Sequence, residues 1–162
     1  MTDSGIVLAL ALAAALGCGV MAGLFFTFSV FMMKALDRLP GTQGLATMQA
    51  INTAIITPLF LLAFLGTAAL SAALAVISLV DWDGSGSAYL LVGSLLYLLG
   101  VIVLTGGYHV PRNDALAVVD PESPEAPSRW SRYMADWTRW NHVRSIASLA
   151  ALALLIMAIR AG

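Results

Sequence analysis

Four long stretches without charged residues dominate the chain, and polar segments separate them. Residues 4–33, 39–80 and 84–108 contain no Asp, Glu, Lys or Arg, and a shorter fourth stretch covers residues 145–159. A helix that crosses a bilayer needs about 20 mostly apolar residues, so each of the first three stretches is long enough. The fourth stretch would cover only about 22 Å as a helix, so we expect its helix to begin earlier, at Trp137 or Trp140.

This pattern predicts an all-α fold, an integral membrane bundle of four transmembrane helices in a single domain over residues 1–162. We place the spans at about residues 5–33, 50–80, 87–109 and 140–160, and a loop with an interfacial helix at about residues 110–139. Pro58 should bend the second span, and Pro111 should end the third. Beyond the proline-rich segment 120–128, Ser128 is a candidate N-cap for a helix over residues 129–159.

Composition agrees with lipid as the solvent. Apolar residues make up 60% of the chain and charged residues only 10%, whereas a soluble domain carries about 25% charge. So few charges would not coat a surface that faces water. The net charge of -1 argues against nucleic acid as a partner, because nucleic acid selects basic patches.

The basic residues predict the direction of the spans. All but Arg160 fall at the first and third connections: Lys34, Arg38, Arg112, Arg129, Arg132, Arg139 and Arg144. Lys and Arg concentrate in cytoplasmic loops, so both termini should lie on the non-cytoplasmic side of a cell (inner or plasma) membrane. We therefore expect a multi-pass protein whose polar groups gather at the cytoplasmic face.

Small residues recur at intervals that suit close helix packing. Gly19 and Gly23 follow Ala15 at four-residue spacing, and Gly93, Gly100 and Gly107 repeat at seven. Such stripes let helices approach closely in lipid. They predict contacts between helices of one chain or between copies, so a homo-oligomer is one of the arrangements they allow.

Three polar groups stand out against the apolar background. Gln49 and Asn52 lie before Pro58, and residues 108–114 (YHVPRND) and 140–144 (WNHVR) lie near the ends of the third and fourth stretches. The two histidines of the chain, His109 and His142, belong to two of these groups. Polar residues within membrane segments are usually functional. Two interpretations stay open: a ligand or catalytic site, or arginine anchors and helix caps.

The same residues resemble a known family. The elements are FFTFS at 25–29, MQ at 48–49, IN at 51–52 with Pro58, VPRND at 110–114, and Trp137 with WNHVR at 140–144. In this order they resemble the anthrone oxygenase-like family of small four-span membrane proteins. The resemblance implies an oxygenase that converts a phenolic anthrone to an anthraquinone with molecular oxygen and needs no organic cofactor. In that family Asn is expected more often than His at the position of His109, which favours His142 for catalysis.

The implied mechanism is removal of a C–H proton by a base, followed by reaction with oxygen. His142 is the candidate base and His109 the alternative, because a neutral imidazole suits this role near pH 7. Candidate donors to the developing oxyanion are Arg112, Arg144, Asn52, Asn113 and Asn141. Candidate substrate-binding residues for an apolar aromatic molecule are Trp137, Trp140, Tyr108, His109 and Gln49. The aromatic residues also fit an ordinary interfacial belt.

Two alternatives come from the same residues. His109, His142 and Asp114 form a 2-His-1-carboxylate set of the kind that holds non-haem iron, although their spacing matches no local metal motif. A non-catalytic bundle that binds lipid, a small molecule or another protein would equally explain the glycine stripes. A channel or pump is disfavoured, since no span carries a charge at its centre.

Overall fold

Five helices make up the fold in the computed structural model, which describes residues 4–40, 42–82 and 84–161. They are α1 (Ser4–Asp37), α2 (Gln43–Ala54), α3 (Pro58–Val80), α4 (Ser85–Ala117) and α5 (Ala126–Ala161). All except α2 are long and apolar enough to cross a membrane. The predicted all-α membrane bundle of four spans is confirmed.

The second span begins at Pro58 rather than near residue 50, because the chain breaks there instead of bending. Helix α2 ends at Ala54, and Thr57 has an extended backbone and caps α3 by accepting the Phe60 amide on its side chain. Pro58 disfavours helical geometry in the residue before it and fits the first turn of a new helix. At 23 residues, α3 is about 35 Å long and only just spans a bilayer core.

Pro111 does not end the third span, contrary to the sequence-based expectation. Helix α4 passes through two π-helical segments, Leu98–Val103 and Thr105–His109, and then continues through Pro111 to Ala117. The wider π-helical turns rearrange the backbone hydrogen bonds just before the proline. A third π-helical segment, Phe28–Met32, interrupts α1. Such segments often mark functional sites.

Helix α5 begins at Ala126, three residues earlier than predicted, and Ser128 is not its N-cap. Pro127 lies in the first turn, where the missing amide proton costs nothing. The Ser128 hydroxyl donates to the Glu125 carbonyl at 2.9 Å instead. Of the region 110–139 that was predicted as a loop with an interfacial helix, residues 110–117 belong to α4 and residues 126–139 to α5, and residues 118–125 connect the two helices.

Two hydrophobic cores are stacked along the bundle axis. The first core, which we call the membrane bundle, is formed by α1, α3, α4 and α5 around Cys18, Leu74, Tyr97, Val101 and Leu155. The second core, which we call the head, contains Phe28, Met33, Leu36, Leu45, Met48, Leu116, Val119, Ala126, Trp130, Tyr133 and Trp137. Helix α2 replaces α3 in the head, since α3 is too short to reach it.

Only part of the predicted glycine stripes forms close helix contacts. A Cβ on Gly100 would lie 2.5 Å from the Ala147 Cβ, and one on Gly93 would lie 3.2 Å from the Leu154 Cβ. A Cβ on Gly23 or Gly107 would meet nothing within 4 Å. The close approach therefore joins α4 to α5, while the outer ends of both stripes do not take part.

A methyl group at Gly100 should destabilise the bundle. Ala147 has no rotamer that would move its Cβ away, so we expect Gly100→Ala to lower the free energy of unfolding by about 1–3 kcal/mol through overpacking. Gly23→Ala is the matched control, and its better helix propensity should leave stability unchanged or slightly raised. Thermal unfolding in detergent measures both. Equal unfolding temperatures for the two variants would contradict the close α4–α5 contact.

Candidate functional site

A cavity of about 210 Å³ lies where the membrane bundle meets the head. All five helices and the α2–α3 break contribute to its walls, which consist of Leu24, Phe25, Phe28, Met48, Ile51, Asn52, Ile55, Ile56, Phe60, Leu61, Phe64, Leu65, Thr105, His109, Val110, Asn113, Trp137 and Arg144. Most of these side chains are apolar, and the polar ones apart from Thr105 were predicted site residues. Two of the π-helical segments contribute Phe28, Thr105 and His109.

Arg144 is the charged residue of this cavity, and its surroundings hold it firmly. Its side chain is only 5% exposed and donates to Asn141 Oδ1 at 2.7 Å and to Thr105 Oγ1 at 3.3 Å. Its guanidinium carbon lies 4.4 Å from the centre of the Phe25 ring and 5.1 Å from that of Trp137. Contacts with aromatic faces stabilise a guanidinium that has lost its water.

Asn141 lies behind the cavity wall and holds the Arg144 side chain in position. It is fully buried, and its Nδ2 donates to the Phe25 carbonyl and to Ser29 Oγ, both at 2.7 Å. Both acceptors belong to α1: Ser29 lies within its π-helical segment and Phe25 just before it. Asn141 therefore ties α5 to α1 and presents its Oδ1 to the arginine, without lining the cavity itself.

Asn113 and Trp137 form one side of the cavity together with a residue of the head. The Asn113 Oδ1 accepts hydrogen bonds from the Tyr133 hydroxyl at 2.8 Å and from the Trp137 indole at 3.0 Å. These bonds orient the Trp137 ring, which also packs edge-on against His109 with ring centres 5.2 Å apart. The wall is thus a preorganised aromatic surface.

His109 is buried with one ring nitrogen free. Its Nδ1 lies 3.4 Å from the Leu104 carbonyl oxygen. A carbonyl only accepts, so this contact favours the tautomer with the proton on Nδ1. The ring also lies beside the Trp137 backbone, yet Nε2 makes no hydrogen bond of acceptable geometry within the part of the chain described.

Two further buried atoms of the cavity lack partners. Asn52 lies beside the Tyr133 hydroxyl, but its Nδ2 makes no hydrogen bond of acceptable geometry, and neither does Arg144 Nε, among residues 4–40, 42–82 and 84–161. Buried polar groups are almost always paired. The unpaired atoms on Asn52, His109 and Arg144 belong to three residues that line the same cavity.

The family comparison agrees with the sequence motifs. The family described as Anthrone oxygenase matches residues 60–154. The chain belongs to this family. No curated protein and no solved structure matches it. Ten of the cavity residues lie within the matched range, among them Thr105, His109, Asn113, Trp137 and Arg144.

Several residues predicted for an anthrone oxygenase site lie elsewhere. His142 is exposed on the outer face of α5 and does not line the cavity. Tyr108 stacks between Arg112, whose guanidinium carbon is 3.3 Å from its ring centre, and Trp140, with ring centres 4.9 Å apart. Gln49 donates to the Leu116 and Val119 carbonyls and so caps the end of α4.

The proposed iron ligands are not brought together. His109 is buried, whereas His142 and Asp114 are exposed. Within the described residues no group of three or more His, Cys, Asp or Glu side chains is suited to hold a metal ion. The 2-His-1-carboxylate interpretation of these three residues is therefore wrong for this fold.

The sequence-based prediction missed three residues in or next to this cavity. Phe25, Thr105 and Tyr133 contact Arg144 or Asn113 directly. Helical spacing was the sequence signal that could have shown which residues share one face of each helix. Thr105, His109 and Asn113 recur every fourth residue, and Trp137, Asn141 and Arg144 lie within one narrow face of α5. On that same helix His142 is turned about 100° from Asn141.

A larger cavity of about 450 Å³ lies at the opposite end of the bundle. Its polar lining consists of Ser4, Ser78, Asp81 and Ser87. It contains none of the residues predicted for the anthrone oxygenase site. The smaller cavity is the better candidate for chemistry, because it combines a buried cation, an imidazole and an aromatic wall.

Proposed function

We propose that this protein is a membrane-embedded oxygenase that oxidises an apolar phenolic polycycle with molecular oxygen in the cavity between membrane bundle and head. The observation that carries the proposal is the convergence of Asn52, His109, Asn113, Trp137 and Arg144 on one apolar cavity. Membership of the anthrone oxygenase family supports the reaction type.

The cavity suits a flat apolar substrate that arrives through lipid. Ile56, Leu61, Leu65 and Val110 line it and are exposed on the outer surface. They surround the gap that the α2–α3 break leaves beside α4. A hydrophobic molecule dissolved in the bilayer would pass this rim without crossing water, and Phe25, Phe64 and Trp137 would contact its rings.

The proposed chemistry uses His109 as the base. Its unpaired Nε2 removes a proton from the acidic C–H group between the two aromatic rings of an anthrone, which leaves an electron-rich anion. Arg144 and Asn52 donate hydrogen bonds to the oxygen on which the negative charge develops. The anion reduces O₂: one oxygen atom becomes the new ring carbonyl, and the other leaves as water with the two hydrogens of the CH₂ group.

We also propose a cell membrane as the location, with the head in the cytoplasm and both termini on the other side. The head ends of α1, α4 and α5 and the segment that follows α1 carry Lys34, Arg38, Arg112, Arg129, Arg132 and Arg139. Arg160 lies at the opposite end of the bundle. Lys and Arg remain cytoplasmic in most membrane proteins. The substrate would then react near the cytoplasmic face.

Oxygen uptake by the purified protein tests the function. With 1,8-dihydroxyanthrone in detergent, we expect uptake above the spontaneous rate and about one O₂ consumed per anthrone, as the proposed stoichiometry requires. Ile51→Phe should suppress the uptake by filling the cavity, whereas Val118→Phe, at an exposed site of the head, is the matched control. Tight binding without oxygen uptake would instead favour a non-catalytic binding protein.

A further inference from the structure

The cavity contains a buried positive charge with no negative partner. Arg144 is 5% exposed and His109 1% exposed. Neither forms an ion pair with a carboxylate in the part of the chain that the structure describes.

An unpaired buried guanidinium is costly in an apolar setting. Removing an ion from water carries a penalty of several kcal/mol unless a counter-charge and hydrogen bonds offset it. Asn141 and Thr105 satisfy two of the Arg144 nitrogens, and these neutral partners leave its net charge uncompensated. Arg144 Nε is buried and has no hydrogen-bond partner in the described residues.

From this imbalance we infer that the cavity binds its aromatic ligand as an oxyanion that pairs with Arg144. The inference rests on the cavity being the site proposed above, and it adds the charge state of the ligand. Asn52 Nδ2, the other unpaired donor, provides a second hydrogen bond to that oxygen. A phenolate and an aromatic carboxylate share this chemistry. The anion of a deprotonated anthrone also carries its charge on a ring oxygen.

Size restricts the ligand further. The cavity of about 210 Å³ is smaller than the roughly 300–1,000 Å³ of sites for drug-sized ligands. Only a compact ring system with few substituents would fit between Phe25, Phe64 and Trp137. The anionic oxygen would lie near Arg144, and the rings would extend toward the lipid-facing rim.

Equilibrium binding of matched probes tests this inference without any turnover. We use 2-naphthoate and its neutral isostere 2-naphthamide, and 1-nitro-2-naphthol, whose absorption spectrum reports whether it binds as phenolate. Wild-type protein in detergent should bind the naphthoate about tenfold or more tightly than the amide, as a hydrogen bond to a charged group would produce. Binding of the naphthoate alone identifies carboxylates as the ligands, and a phenolate spectrum identifies phenols; either result supports the inference.

Variants test whether the preference for the anion depends on a positive charge and whether that charge must lie at residue 144. Arg144→Gln should abolish the preference for the anion, Arg144→Lys should keep part of it, and Arg139→Gln, an exposed arginine of the same helix, should keep all of it. Equal binding of naphthoate and amide by the wild-type protein would overturn the inference, whatever the folding of the variants. So would a preference that survives in folded Arg144→Gln. Oxygen uptake that continues despite either result would leave the proposed function standing.

Discussion

Replacing His109 by Gln should reduce turnover of an anthrone by about 10²–10⁴-fold, the usual contribution of a general base. Glutamine keeps a side chain of similar polarity but has no basic nitrogen. The imidazole is buried, has Nδ1 within 3.4 Å of the Leu104 carbonyl oxygen and leaves Nε2 unpaired. Oxygen uptake with 1,8-dihydroxyanthrone, corrected for the spontaneous rate, measures the loss.

The second histidine provides the internal comparison. His142 is exposed on the outer face of α5 and lines no part of the cavity, so His142→Gln should retain most of the wild-type activity. Thermal unfolding of both variants shows whether either loss of activity reflects loss of fold. The opposite pattern, with His142→Gln inactive and His109→Gln active, would return the role of base to His142.

Replacing Asn141 by Leu should have the largest effect on stability. The side chain fits by volume, but the Phe25 carbonyl loses its donor and the buried Arg144 loses its 2.7 Å acceptor. Leaving one buried polar group unpaired costs about 1–3 kcal/mol, and more for a charged group. We expect the free energy of unfolding to fall by about 3 kcal/mol or more, and binding of the anionic probe to weaken as Arg144 loses its orientation.

Ser145→Ala is the control for the loss of buried hydrogen bonds between neutral groups, because the Ser145 hydroxyl bonds the Asn141 carbonyl and the Ser29 hydroxyl. Ser145 lies one helical turn from Asn141 and contacts Ser29 at 3.1 Å. Since Ser29 keeps its bond from Asn141, the effect should be about 1 kcal/mol, because each such bond in membrane bundles contributes about 0.6 kcal/mol. Similar losses of stability in the two variants would show that Asn141 does not hold the arginine.

Some features followed from the sequence alone because they depend on the total length and apolar content of continuous stretches of the chain. Long uncharged stretches predict membrane helices because length and apolar content are properties of the sequence itself. This is why the four spans and their membrane class were predictable. The three polar groups were also visible, since isolated polar residues contrast with an apolar background.

The tertiary structure decided which side of each helix faces the cavity. Residues adjacent in sequence point about 100° apart on a helix, so Asn141 is buried while His142 is exposed. The π-helical segments of α1 and α4 change the direction of the side chains that follow them still further. The helix preferences of individual residues do not predict where such segments occur. The stacking of a head on the membrane bundle also required the tertiary structure. It depends on α3 being too short to reach the head, so that α2 occupies that position and the break between them opens the cavity.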